Sequence, residues 1–154
     1  MSTPAIQYLK QKQISFDTVA YAHAQKGAEY AAEATGYPLK MTVKTLVVEL
    51  GDREYALVLM PGDKQLSMKR LARICKCKHA AMADTKTAER ITGYPVGGIS
   101  PFGTRQKLPV IMEEGILNKD KILINAGQRG TMILIAPADV ENTLGCTVAS
   151  LAQP

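Results

Sequence analysis

The sequence contains no tryptophan and only two phenylalanines, so an aromatic stacking platform for single-stranded RNA is not expected. Its three cysteines, Cys75, Cys77 and Cys146, are an odd number in a chain long enough to fold without staples, which points to free thiols in a reducing compartment. No stretch approaches the roughly 18 apolar residues of a membrane span, and the first residues, Met1 to Gln7, lack the apolar segment of a secretory signal. A cytoplasmic protein without membrane association is the expectation. The only histidines are His23 and His79, and neither sits in a triad context, which argues against covalent serine catalysis. Cys75-Lys76-Cys77-Lys78-His79 follows no standard zinc spacing and is crowded by like charges. No Walker A loop and no dinucleotide fingerprint occur. Neither a metal nor a cofactor is expected.

What is present is enough for one core. With 154 residues, 46% of them hydrophobic, residues 1–154 are expected to form a single domain. The formal charge of +5 permits a polyanionic partner without requiring one. Between Lys64 and Lys78 there are six basic residues and no acidic one. Ser67 there can N-cap a helix whose Met68, Leu71, Ala72 and Cys75 recur at i, i+3, i+4 and i+7 and face the core. Lys69, Arg70, Arg73 and Lys76 then share the outer side, either as a binding surface for RNA phosphates or as an ordinary solvated helix face.

Thr3-Pro4 reads as an N-cap followed by proline at the first helical position, with the helix running to about Gln11. A strand follows near Phe16 to Tyr21, then a helix from Gly27 to Thr35 closed by Gly36. Met41 to Leu50 and Glu54 to Met60 flank Gly51-Asp52-Arg53 as a hairpin. After the basic helix, Asp84 caps a helix ending near Gly93. Leu108 to Met112, Lys121 to Asn125 and Thr131 to Ala136 read as strands, and Pro137 to Gly145 as a last helix. Strands outnumber helices and many are joined by short turns, so the fold class is α+β: a curved mixed, largely antiparallel sheet with peripheral helices.

Three features could carry chemistry. Lys44 shares a strand face with Leu46, Val48 and Leu50, so its ammonium either snorkels from the strand end or enters a pocket to meet a ligand oxygen. Gly93 to Gly103 holds four glycines and two prolines, and its Gly97-Gly98-Ile99-Ser100-Pro101 run can bring backbone N–H groups close to a ligand or serve as a plain connection. Asn125-Ala126-Gly127-Gln128-Arg129-Gly130 is a turn between two strands that could face the first loop, with Gly127 offering backbone contact and Arg129 a fork for phosphate or carboxylate.

Together, Thr3-Pro4-Ala5, Tyr21-Ala22-His23, Val43-Lys44-Thr45-Leu46-Val47, Thr92-Gly93-Tyr94, Gly97-Gly98-Ile99-Ser100-Pro101-Phe102-Gly103 and Ala126-Gly127-Gln128-Arg129-Gly130 closely resemble the YbaK family of Cys-tRNA(Pro) deacylases over essentially the whole chain. The wider group includes the editing domain of bacterial prolyl-tRNA synthetase. The resemblance implies a trans-editing hydrolase that clears cysteine from mischarged tRNA(Pro), with that tRNA and prolyl-tRNA synthetase as partners. It also implies that the substrate's own thiol attacks the ester, so that no enzymic nucleophile is needed. On this reading Lys44, Gly98 and Gly127 are catalytic, and Tyr21, Thr45, Gly97, Ile99, Ser100, Pro101 and Arg129 hold the substrate. Lys69, Arg70, Arg73 and Lys76 then bind tRNA. Some relatives carry an aspartate soon after the Arg-Gly turn, where this chain has Met132, so no role of that acid carries over. Two other readings remain: a deacylase of Ala-tRNA(Pro) or another mischarged tRNA, and a non-catalytic adaptor binding tRNA or the synthetase.

Overall fold

The structure is a computed structural model that describes residues 2–22 and 28–154. Helix α1 (Pro4–Gln11) begins at Thr3, whose hydroxyl accepts a hydrogen bond from the Ile6 N–H; this leaves one fewer orphan donor in the first turn. After β1 (Asp17–Ala20) comes α2 (Ala28–Thr35). The expected helix start at Gly27 and the residue His23 lie outside the described residues. Beyond α2, Gly36 takes φ +79°, the left-handed backbone that glycine adopts freely at a helix end.

A short 3-10 turn leads into β2 (Thr42–Glu49), which pairs in antiparallel register with β3 (Tyr55–Pro61). The hairpin turn between them places Gly51, Asp52 and Arg53 all at positive φ. The basic helix α3 (Met68–Cys75) starts at Ser67, whose Oγ accepts from the Arg70 N–H. The remaining elements are β4 (Ala81–Met82), α4 (Thr85–Thr92), β5 (Val110–Glu113), a 3-10 turn (Glu114–Asn118), β6 (Ile122–Gln128), β7 (Thr131–Ile135), α5 (Pro137–Leu144) and β8 (Thr147–Ala149). Strands β4 and β8, of two and three residues, are not anticipated from the sequence because neither is long enough to show alternation.

The strands form one sheet in the order β1-β7-β6-β2-β3-β5-β8, with β4 also on β2. The pairings β1·β7, β2·β3, β2·β4 and β6·β7 are antiparallel, whereas β2·β6, β3·β5 and β5·β8 are parallel. The sheet is therefore mixed and largely antiparallel, as expected. Period-two alternation sends Val43, Val47, Leu57 and Leu59 to a face covered by α1, α4 and α5. Val48, Ala56, Val58 and Met60 go to the opposite face, under α3, and on that same side Leu123 and Met132 pack beneath α2. Between the α3 cluster and the α2 cluster lies Lys44. No helix among the described residues is long and apolar enough to cross a membrane.

Candidate active site

A cleft of about 260 Å³ opens in the plane of the sheet. One edge of β2 is shared by two strands: β6 pairs at Thr42 and Val43, and β4 pairs at Val48 and Glu49. Between those contacts, no strand among the described residues pairs with β2 on that edge. The register of β6 shifts between Asn125 and Gln128, and a bulge of this kind bends its strand and ends the pairing.

Hydrogen-bond alternation fixes what faces the slot. On the β3 side, the Gly62 N–H donates to Thr42 O at 2.6 Å and the Leu50 N–H to Glu54 O at 2.7 Å. On the other edge, the Ala83 N–H donates to Val47 O at 3.0 Å. Even-numbered residues of β2 thus direct their backbone groups to β3 and odd-numbered ones to the slot. Thr45, midway between Val43 and Val47, presents its N–H and C=O there. Its side-chain Oγ1 is buried and is the one such polar atom with no hydrogen-bond partner among the described residues. An orphaned buried hydroxyl is costly unless a partner arrives.

Lys44 enters the same cleft from the opposite sheet face. Burial lowers the pKa of its ammonium below the ordinary lysine value, while the charges of Glu29 and Asp63 oppose that shift. Tyr21 closes one end, its ring 6.2 Å from that of Tyr30 and its N–H donating to Gly130 O at 2.9 Å. Gly97 and Ile99 form part of the wall beside Val96.

Several residues expected to touch the substrate do other work. The Gly98 N–H donates to Pro95 O at 2.9 Å, and a Cβ on Gly98 would come within 2.9 Å of Gln128 backbone. The Gly127 N–H donates to Asn125 Oδ1 at 3.3 Å. At φ +100°, a Cβ on Gly127 would lie 2.6 Å from the Tyr94 ring. These two glycines let the loops approach each other, and their N–H groups are already engaged rather than aimed at a ligand. Ser100 is fully buried, its Oγ accepting from the Phe102 N–H at 3.3 Å, and Pro101 is buried beside it. Arg129 is not a free fork: its Nε and one terminal nitrogen both donate to Val96 O, at 3.0 and 2.6 Å. Arg70, expected on the outer side of α3 with Lys69, Arg73 and Lys76, instead turns to the C-terminal segment, donating to Ala152 O at 2.9 Å and Ser150 Oγ at 3.2 Å.

Three further side chains, none assigned this role from the sequence, hold the wall in place. Asn125 donates from Nδ2 to Gly97 O at 3.0 Å while receiving the Gly127 N–H, so it ties one glycine loop to the other. Glu89 of α4 accepts the Val96 N–H at 2.7 Å. The Thr3 hydroxyl donates to Ala126 O at 2.5 Å. The Asn125 and Thr3 bonds join segments distant in sequence, and the Glu89 bond crosses from α4 into the loop after it; no local spacing signals any of them. Thr3 and Asn125 stand inside motifs of the sequence, and Glu89 stands in none.

The cleft thus combines a partly desolvated ammonium, an orphaned hydroxyl and free-facing backbone groups. None of its described lining residues is serine, cysteine or histidine. Residues 22–143 match the family model described as aminoacyl-tRNA editing domain. An Enterococcus faecalis protein provisionally named Cys-tRNA(Pro)/Cys-tRNA(Cys) deacylase EbsC is 30% identical over 88% of this chain and 84% of its own length. The Escherichia coli protein named multifunctional Ser/Thr-tRNA deacylase ProXp-y is 26% identical over 87% of this chain and 82% of its own. A proline–tRNA ligase of Sulfurihydrogenibium is 29% identical over 68% of this chain, a match covering 18% of the ligase. A solved structure titled as a candidate trans-editing enzyme for prolyl tRNA synthetase superposes with a TM-score of 0.90 at 23% identity, spanning 100% of this chain and 99% of that one. The chain belongs to the aminoacyl-tRNA editing domain family, among its YbaK-like tRNA deacylases.

Proposed function

We propose that this protein hydrolyses mischarged Cys-tRNA(Pro) in trans, acting beside prolyl-tRNA synthetase. The observation that carries the reading is the pairing of Lys44 with the orphaned Thr45 hydroxyl in a cleft whose described lining offers no serine, cysteine or histidine nucleophile. A site so equipped can orient and polarise an ester but needs its nucleophile from elsewhere. Cysteine brings one. Its sulfur bonds to the carbonyl carbon, the bond to the ribose oxygen breaks, the thiol proton passes to that oxygen, and water then opens the thiolactone to free cysteine. The protein's part is to hold thiol and carbonyl in reach and to stabilise the developing oxyanion, effects that are large when the donors are preorganised. Lys44 and the Thr45 N–H are the donors we assign. Met132 stands 3% exposed in the cleft wall, so the position where some relatives carry an acid is apolar here and suits a small uncharged side chain.

The test is release of amino acid from Cys-tRNA(Pro) and Ala-tRNA(Pro) by the purified protein and by Lys44→Ala and Ser100→Ala variants. Preferential cysteine release, lost in Lys44→Ala and retained in a folded Ser100→Ala, is expected. Selective alanine release would keep the editing activity and replace the substrate. Cleavage of neither ester above the buffer rate would sink the catalytic reading for both substrates and favour an adaptor.

A further inference from the structure

A second cleft, of about 470 Å³, lies between α3 and the turn that follows it, lined by Lys69, Arg73, Cys77, Lys78 and His79. Lys69, Arg73, Lys78 and His79 are exposed, and the 64–78 stretch holds no acid to neutralise them. The turn is held closed from within: the Cys77 N–H donates to Ala72 O at 3.0 Å, and Cys77 Sγ lies 3.6 Å from His79 O. Its next residues are Ala80, which lines this cleft, and β4, whose Met82 lines the active cleft. One short strand therefore joins a basic groove to the catalytic slot. Met82, 50% exposed, is the large hydrophobic side chain left open among the described residues, and it stands at that junction.

Resting on the deacylase reading, we infer that the groove between α3 and the 77–80 turn binds the phosphates of the tRNA acceptor strand, and that Met82 packs against a base of its single-stranded end as the ester enters the slot. The charge suits a polyanion. Continuity with the slot suits the acceptor end rather than a remote part of the tRNA. A flexible, polarisable thioether can lie against any base face, which compensates for the scarcity of aromatic residues. The groove also redistributes the basic residues: Lys78 joins Lys69 and Arg73, while Arg70 is turned away to the C-terminal segment.

The test titrates the full chain with a fluorescent, uncharged RNA hairpin ending in a single-stranded CCA, over a range of salt. Lys69→Glu/Arg73→Glu should weaken binding tenfold or more and reduce the slope of log K against log salt by about 1.4, the loss of two single-strand phosphate contacts. Lys10→Glu/Lys12→Glu, an equal charge change at exposed positions in the last turn of α1 and just past its end, should change little. Met82→Ser should weaken binding severalfold with the slope kept. Equal losses in the two charge-reversed proteins would show diffuse attraction and overturn the proposal, as would wild-type affinity in Lys69→Glu/Arg73→Glu. Because the hairpin carries no ester, the outcome is independent of turnover. The deacylase reading fails separately, if the wild-type protein binds the hairpin through this groove yet cleaves no aminoacyl ester.

Discussion

Lys44 and Thr45 are neighbours in sequence that reach one cleft from opposite faces of a strand, and their roles separate experimentally. If the Lys44 ammonium stabilises the oxyanion, Lys44→Ala should lower kcat by roughly a hundredfold with the fold intact. Its pKa is lowered chiefly by burial, so the cationic form is lost at a pH below that of an ordinary lysine. Activity should therefore decline on the alkaline side earlier than a free lysine would dictate, and that limb should be absent from the residual activity of Lys44→Ala. Thr45→Val keeps the shape and removes the orphaned hydroxyl. With no hydrogen bond to lose among the described residues, it should leave thermal stability unchanged or raised while KM for the aminoacyl-tRNA rises severalfold. A fall in stability with unchanged kinetics would show that the hydroxyl serves the fold.

Among the elements, the glycine loop before β5 depends on its anchors. Arg129→Ala removes both donors from Val96 O and should reduce activity through the loop position, with little effect on global stability because the side chain is exposed. Faster amide exchange confined to residues near 96–99 is the checking measurement. Gly127→Ala should be far worse, since its added methyl would require a left-handed backbone and press on the Tyr94 ring. Tyr94→Phe leaves Phe102 O without its 2.5 Å donor and should cost about 1–3 kcal/mol by denaturant unfolding. Helices were the legible elements. Thr3, Ser67 and Asp84 each cap where their side chains predict, and Gly93 and Gly145 close helices at positive φ. The glycine runs were legible as a paired feature but not in their division of labour. Sequence shows that Gly98 and Gly127 permit a close approach; only the packing of Gln128 and Tyr94 shows that the approach is between the loops themselves. The slot was invisible for a similar reason, since it arises where a two-residue strand and a bulged strand leave the same edge.

Across the whole molecule, the C-terminal segment is fastened to both sheet and α3. Glu113, 7% exposed, accepts from the Leu151 and Ala152 N–H groups at 2.7 and 3.0 Å and from Gly115 at 2.8 Å. Burial acts to raise its pKa, but these donors and the nearby Arg70 charge prevail, leaving it below the ordinary carboxylate value. A depressed folded pKa contributes stability that is fully present above the unfolded value of about 4.3 and is lost as pH falls through the folded value. Glu113→Gln should lower the unfolding midpoint at neutral pH and flatten its dependence on pH in the acid range below about 4.3. The same fastening holds Arg70, so loosening it should also loosen α3.

The slot in β2 has one further consequence. With Val43 taken by β6 and Val47 by β4, the stretch of ladder left to fill is that of a single residue, Thr45. An aminoacyl ester is chemically one residue, an amino group and a carbonyl on either side of one α-carbon. On the proposed reading, the ester enters as a one-residue strand. The main chain of any amino acid would then be read alike, and discrimination would fall wholly to the space into which its side chain points.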